Sequence, residues 1–171
     1  MQLGIISDTH DNVEAVDAAM DVFREEGVEV VVHCGDFIAP PVIERFDGVE
    51  LHGVLGNNDG EVEGLEAAFD ALGGGSDLHG RFADLEFDGL SIAVLHGEDL
   101  AEVEEYAVSG DYDYDYVCYG HHHEREHREE GRTTVLNPGA HFPTVPAEHR
   151  TVAILETRTE SVRFRSVADR E

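Results

Sequence analysis

Tyr119-Gly120-His121-His122-His123 ends an apolar run in three adjacent imidazoles, which packing does not explain. Neutral imidazole is the commonest metal ligand, and side chains at i and i+2 of an extended segment point the same way. His121 and His123 can therefore serve one site while His122 faces elsewhere. Partners recur along the chain: Asp8 and His10, Asp36, Asn57 and His96 each lie just beyond a short apolar run. Alone, an Asp or Asn at such a place is a turn former or helix cap, and a lone His96 is a satisfied, partly buried histidine. Five run ends bearing oxygen and nitrogen donors point to metal instead. Seven donors exceed one four-coordinate zinc, and this mixture of carboxylate, amide and imidazole suits two five- or six-coordinate divalent ions. Two metals about 3.5–4 Å apart need a bridging carboxylate, for which Asp36, in the middle of the order, is the natural choice. Such a pair generates a bridging hydroxide near neutral pH and neutralises phosphoryl oxygen, the chemistry of in-line displacement at phosphorus.

The elements that must carry these donors follow from periodicity. Leu3–Ile6, Val28–Val32, Val49–Leu55, Leu90–Leu95 and Tyr114–Tyr119 predict the strands that end at the five donor positions. Between them, Val13, Val16, Met20 and Phe23 mark a helix with Asp11 as N-cap, Glu14 closing a capping box and Gly27 as stop. A short helix with Val42, Ile43 and Phe46 follows. Val62, Leu65, Phe69 and Leu72 predict another, and Leu100, Val103 and Ala107 a further one. Arg81–Phe87 reads as an edge strand that pairs through Asp88-Gly89 with Leu90–Leu95. Glu124–Glu130 reads as a solvated strand or turn, and Thr133–Leu136, Val152–Leu155 and Val162–Val167 close the chain with β structure. The β-branched run Val28–Val32 is the pattern of a parallel strand buried on both faces, and open α/β sheets bind ligands at their C-terminal strand ends.

Bulk properties bound the answer. At 171 residues the chain reads as a single domain, 1–171. Cys34 and Cys118 sit in apolar surroundings and read as reduced core thiols. No apolar run approaches the roughly 18 residues of a membrane span, and the expectation is a soluble, cytoplasmic protein without a membrane partner. Asp and Glu number 38 against 11 cations, giving a formal net charge of -27, and every cation is Arg. Such self-repulsion is tolerable where concentrated salt screens it over about 3 Å at 1 M, so the surface reads as halophilic. The same charge weighs against a binder of long nucleic acid.

The ordered motifs Asp8-Thr9-His10, Gly35-Asp36, Gly56-Asn57-Asn58-Asp59, His96-Gly97 and Gly120-His121-His122-His123 resemble those of the calcineurin-like metallophosphoesterases. The length, the Asn-x-Asp of the third motif and Asn137-Pro138-Gly139 after the fifth are similar to the superfamily's small single-domain phosphodiesterases. The resemblance implies an α/β fold, a two-sheet β-sandwich flanked by helices in four αββα layers. It implies one metal held by Asp8, His10, Asp36 and His123 and a second held by Asp36, Asn57, His96 and His121. The implied cofactors are two divalent ions, manganese first, with iron, nickel and zinc the other family metals. The implied function is hydrolysis of a small or nucleotide-like phosphoester, with a homo-oligomer left open.

Two positions depart from the family pattern. Asn58 stands where many members carry a histidine that protonates the leaving group, and an amide cannot do so. His122 replaces a usual threonine; a substrate contact and a solvated edge histidine are the two readings. Asp59 reads as a helix cap that also supports the site. His33 and His52 read as core or supporting residues, and His141 as one that could face the site. The rival function is a protein-interaction scaffold, as in the retromer subunit that shares this architecture with a degraded metal site. All seven ligand positions being filled favours the enzyme.

Overall fold

Short β-branched runs build the centre of the molecule, whose computed structural model describes residues 1–170. β1 (Gln2–Ile6) and β2 (Val30–His33) pair in parallel with Leu3 opposite Val30 and Ile6 opposite His33, and every residue of β2 is buried. β3 (Glu50–Gly53) extends the parallel run, with His33 opposite Gly53, so these strands end level. β4 (Asp77–Leu78), too short to leave a periodic signal, pairs beyond β3. On the other side β10 (Thr151–Glu156) and β11 (Ser161–Ser166) add antiparallel strands, giving a six-stranded sheet in the order β11-β10-β1-β2-β3-β4.

The second sheet is built from β5 (Phe82–Phe87), β6 (Leu90–Leu95), β7 (Tyr116–Cys118), β8 (Glu126–Glu130) and β9 (Thr133–Asn137), in the order β5-β6-β7-β9-β8. Asp88 and Gly89, with φ of 52° and 81°, make the tight β5–β6 turn, and β5 lies at a sheet edge as its alternation predicts. β8 is the other edge. Its Arg128 neutralises local acidity by pairing with Glu126 at 2.7 Å, Glu130 at 2.5 Å and Glu104 of the neighbouring helix.

Alternation decides the layers. Leu3, Ile5, Val30 and Val32 face Ile92, Val94, Cys118 and Leu136 of the second sheet in one apolar interior. Residues of the opposite parity, Ile6, Val31 and Leu51, meet the helices α1 (Val13–Glu26), α2 (Pro40–Glu44) and α3 (Val62–Leu72) through Val16, Met20, Phe23, Ile43 and Phe69. α4 (Leu100–Val108) covers the outer face of the second sheet with Val103 and Ala107 over Val117 and Val135. Each fully buried Leu, Ile or Phe contributes about 1.5–3 kcal/mol, so the four αββα layers are the arrangement that hides all the apolar stripes at once. Both cysteines are free and buried between the sheets, where burial pushes the Cys118 thiol up to about 12.

One expected cap is corrected. Asn12, not Asp11, caps α1 by accepting from the Ala15 amide at 3.1 Å. Asp11 has φ 58° and turns its carboxylate to the Ala39 amide at 2.9 Å, tying the first loop to the one before α2.

Candidate metal centre

The five donor-bearing segments leave β1, β2, β3, β6 and β7, all parallel within their own sheets, so their C-terminal ends form one edge. Backbone bonds knit the loops there: Asp8 N–H donates to Gly35 O at 3.0 Å, His10 N–H to Asp36 O at 3.1 Å, and Gly120 N–H to His96 O at 2.8 Å. Asp8, His10, Asp36, His121 and His123 all have left-handed φ, between 43° and 65°. Strain of order 1–3 kcal/mol per residue persists only where surrounding contacts over-determine it, and such residues cluster at functional sites. The extended-segment reading of the histidine run is corrected here, because left-handed residues at 121 and 123 send their rings to different partners.

His123 Nε2 lies 3.2 Å from Asp8 Oδ1, and His10 Nε2 lies 3.6 Å from the same oxygen and 3.2 Å from Asp36 Oδ2. His96 Nε2 lies 3.4 Å from Asp36 Oδ2 and 3.0 Å from Asn57 Oδ1, which His121 Nδ1 approaches at 3.1 Å. The seven side chains thus form two adjoining groups, with Asp36 touching a histidine of each. Asp8 Oδ1 and His10 Nε2 are buried yet have no hydrogen-bond partner. An unsatisfied buried polar atom costs about 1–3 kcal/mol, and a divalent cation between these convergent atoms would remove that cost. The donor chemistry therefore fits metal: Asp8, His10 and His123 form one compact trio, Asp8, Asp36 and His96 another.

Neighbours fix how the donors point. His96 Nδ1–H donates to Cys34 O at 2.8 Å, which leaves Nε2 as the free ligand atom. Asp8 Oδ2 accepts from Ser7 Oγ at 2.5 Å and from the His121 amide at 3.0 Å, leaving Oδ1 for the centre. Asp59 accepts from the Asp36, Gly56 and Ile38 amides, each at 2.8 Å, clamping two site loops together. It supports the site as expected but does not cap α3, whose N-cap is Glu61. Two glycines are dictated by approach: a Cβ at Gly56 would strike Asp36 Oδ1, and one at Gly120 would strike Ser7 Oγ and Asp8 Oδ2.

Asn58 donates its backbone N–H to Asp36 Oδ1 at 2.9 Å and its side-chain amide to Oδ2 at 2.8 Å, so it steadies the shared carboxylate. His122 is exposed, and its Nε2–H donates to Gly97 O at 2.9 Å. His33 is buried beneath the site, accepting from the Gly35 amide at Nδ1 and donating to Thr9 Oγ1 from Nε2; burial pulls it down to about 3, so it stays neutral. His52 bonds Glu50 at 2.6 Å and His79 at 2.8 Å, a partner set apart from the seven donors. His141 is wholly buried, and its amide donates to Asp8 O at 2.9 Å. Sequence reasoning missed Phe142, whose ring lies 4.5 Å from that of His10 and 4.7 Å from that of His123. An aromatic in an irregular loop leaves no periodic signal.

Electrostatics link the centre to pH. The carboxylates of Asp36 and then Asp8, 3.2 and 3.6 Å from its Nε2, raise His10 to about 9. Burial pulls His96 down, but Asp36 and Asp8 together carry it up to about 9. Burial pushes both carboxyls up, yet the histidines hold Asp8 and Asp36 far below the ordinary range. At pH 7 the metal-free protein therefore keeps protons on His10 and His96 that a metal must displace. Titrating manganese at pH 7 in buffers of different ionisation enthalpy is expected to show release of about two protons per chain, falling towards none above pH 10. A raised histidine pKa stabilises the metal-free fold below pH 6.5, and that gain is lost as pH rises through about 9.

The calcineurin-like phosphoesterase superfamily domain matches residues 1–160. The chain belongs to that superfamily. It is thereby a hydrolase of phosphoester bonds. A phosphodiesterase of Methanocaldococcus jannaschii is 34% identical over 168 residues, covering 95% of this chain and 97% of that protein. A solved structure of a novel archaeal phosphodiesterase superposes with a TM-score of 0.85 at 32% identity, over 97% of this chain and 99% of the other. Vps29 of Entamoeba histolytica, as a single mutant, matches with a TM-score of 0.67 at 18% identity, over 96% of this chain and 97% of that one, a likeness of fold alone.

Proposed function

We propose that the chain, acting as one domain over residues 1–171, is a two-metal phosphodiesterase for small or nucleotide-like phosphoesters. The observation that carries this reading is the convergence of the seven donors into two groups around Asp36. Asp8, His10, Asp36 and His123 would hold one ion, and Asp36, Asn57, His96 and His121 the other, with manganese the first choice. When bound, such a pair supplies a nucleophile at neutral pH and neutralises the phosphoryl oxygens. The chain's own part is positional. Ser7 and the His121 amide orient Asp8, Cys34 O sets the His96 tautomer, and Asn58 and Asp59 hold Asp36 and its loop. Asn58 holds no transferable proton, so the leaving group departs unaided or takes a proton from water or from a histidine bordering the site, and esters with acidic leaving groups are the better substrates. Of those histidines His122 is the candidate for contact with substrate. The relatives' activity and the 34% identity support diesters as the substrate class.

The formal charge of -27 supports a cytoplasm of high salt as the working environment and argues against long nucleic acid as substrate. Purified protein assayed with bis(p-nitrophenyl) phosphate, p-nitrophenyl phosphate and a cyclic nucleotide is expected to need added manganese, bind about two ions per chain and favour the diester. Its activity should rise from 0.1 M to about 2 M salt as repulsion is screened. Well-folded protein that binds no metal and cleaves none of these would replace the enzyme with the scaffold reading.

A further inference from the structure

Next to the candidate centre, and sharing His123 with it, lies a cleft of about 400 Å³ between the histidine run and the loop that joins β9 to β10. Phe142 is its aromatic wall. His10 packs on the ring at 33° between planes and His123 at 86°, and half-buried Phe142 lines the cleft. The loop is braced on both sides. His141 N–H donates to Asp8 O, Asn12 Nδ2 to His141 O at 2.9 Å, and Ala140 N–H to His149 O at 3.0 Å. Val145 N–H closes a turn onto Phe142 O at 3.0 Å. The platform is therefore held in place before any ligand arrives, which spares the ligand the cost of ordering it.

The polar lining narrows the occupant. His149 accepts from the Arg125 amide at Nδ1, 3.2 Å, so the proton sits on Nε2, which is 3.6 Å from Glu148 Oε1 and beyond hydrogen-bond reach of it. That N–H can serve an oxygen of the occupant. The acidic side chains on the walls are Glu124 and Glu148, and among the described residues no arginine lines the cleft. The nearby Arg125 has its guanidinium over the Phe164 ring, 5.5 Å from the centroid. Two carboxylates and no arginine disfavour a second phosphate and leave a neutral, flat group as the better-fitting partner.

We propose that this cleft is the subsite for one ester substituent of the substrate, a neutral planar aromatic group of aryl or nucleobase type, stacked on Phe142. The inference rests on the two-metal reading, since the phosphate must sit at the centre for its substituent to reach the cleft.

Calorimetric binding to the manganese-loaded protein tests it without turnover, using inorganic phosphate, phenyl phosphate, cyclohexyl phosphate and thymidine 5′-monophosphate. Phenyl phosphate or the nucleotide is expected to bind about tenfold tighter than inorganic phosphate, the scale of one aromatic stack, whereas cyclohexyl phosphate gains little. A gain confined to one of the two aromatic ligands assigns the aryl or the nucleobase source. Phe142→Ala should bring the ratio of affinities close to one, and Phe142→Tyr should restore it. The ratio is insensitive to any general weakening of metal binding that loss of the ring causes beside His10 and His123. Equal affinities in the unaltered protein, an equal gain for cyclohexyl phosphate, or a ratio that survives Phe142→Ala overturns the subsite while leaving the metal centre standing. Failure of all four ligands to bind overturns both.

Discussion

Asp36→Asn is expected to lower kcat/KM for bis(p-nitrophenyl) phosphate by about a thousandfold in saturating manganese, the several kcal/mol a metal ion contributes to a transition state. Asp36 meets both donor groups at short range, 3.2 Å from His10 and 3.4 Å from His96, whereas Asp8, close to His10 and His123, is 3.9 Å from His96; Asp36 is 1% exposed. An amide removes the negative charge that two cations would share and leaves a weaker oxygen donor. The fold should tolerate it. Asn adopts the left-handed φ of 62° as readily as Asp, and its oxygen can still accept from the Asn58 amide. Without the carboxylate, His10 and His96 keep only Asp8 of the two partners that raise them, so the metal-free variant holds their protons less tightly. Thermal melting at pH 8 should move by only a few degrees, while metal analysis should show fewer than two ions per chain. Hydrolysis at an undiminished rate would sink the shared-carboxylate mechanism.

Much of this arrangement was legible in the sequence because it follows from local rules. Val30, Val31 and Val32 announce a strand that must be covered on both faces, and the donors one to four residues past such runs fall at one edge once the strands are parallel. What the sequence left open depends on contacts between distant segments. Asp11 and Asn12 are equally good caps by type, and only the Ala39 amide across the next loop decides that Asp11 turns away. His121 and His123 read as neighbours on an extended segment, but both are left-handed, and Asp8 and Asn137, far off in sequence, hold the 120–121 peptide from either side. Phe142 lies in a loop without periodicity, so its place beside His10 comes only from the folded chain.

Asp59 carries the largest expected effect on stability, and the reason is again contact between distant loops. Its carboxylate is 6% exposed and accepts three amide hydrogens at 2.8 Å, two of them, from Asp36 and Gly56, on the same oxygen. Two of the residues it holds are in left-handed conformations, Asp36 at 62° and Ile38 at 81°. For a β-branched residue that conformation is a steric outlier, so the bond from the Ile38 amide helps to hold the loop against its own preference. Asp59→Ala leaves these donors without an acceptor where water has little access. At about 1–3 kcal/mol for each of the three, the loss of unfolding free energy should be about 3–9 kcal/mol, a large share of the 5–15 kcal/mol that a typical domain possesses. Asp59→Asn should cost less, about 1–3 kcal/mol. Its single oxygen can keep the Asp36 and Gly56 amides, but the NH2 group then faces the Ile38 N–H, donor against donor. Asp21→Ala supplies the contrast: its pair with Arg24 spans 3.0 Å on an exposed face of α1, and its removal should change stability by less than about 0.5 kcal/mol. Urea unfolding of the metal-free proteins in high salt measures all three. Asp59→Ala should also weaken manganese binding about 10–100-fold, because the loop that presents Asp36 loses its anchor. Loss of stability without that loss of affinity would mean that Asp59 braces the fold and not the centre.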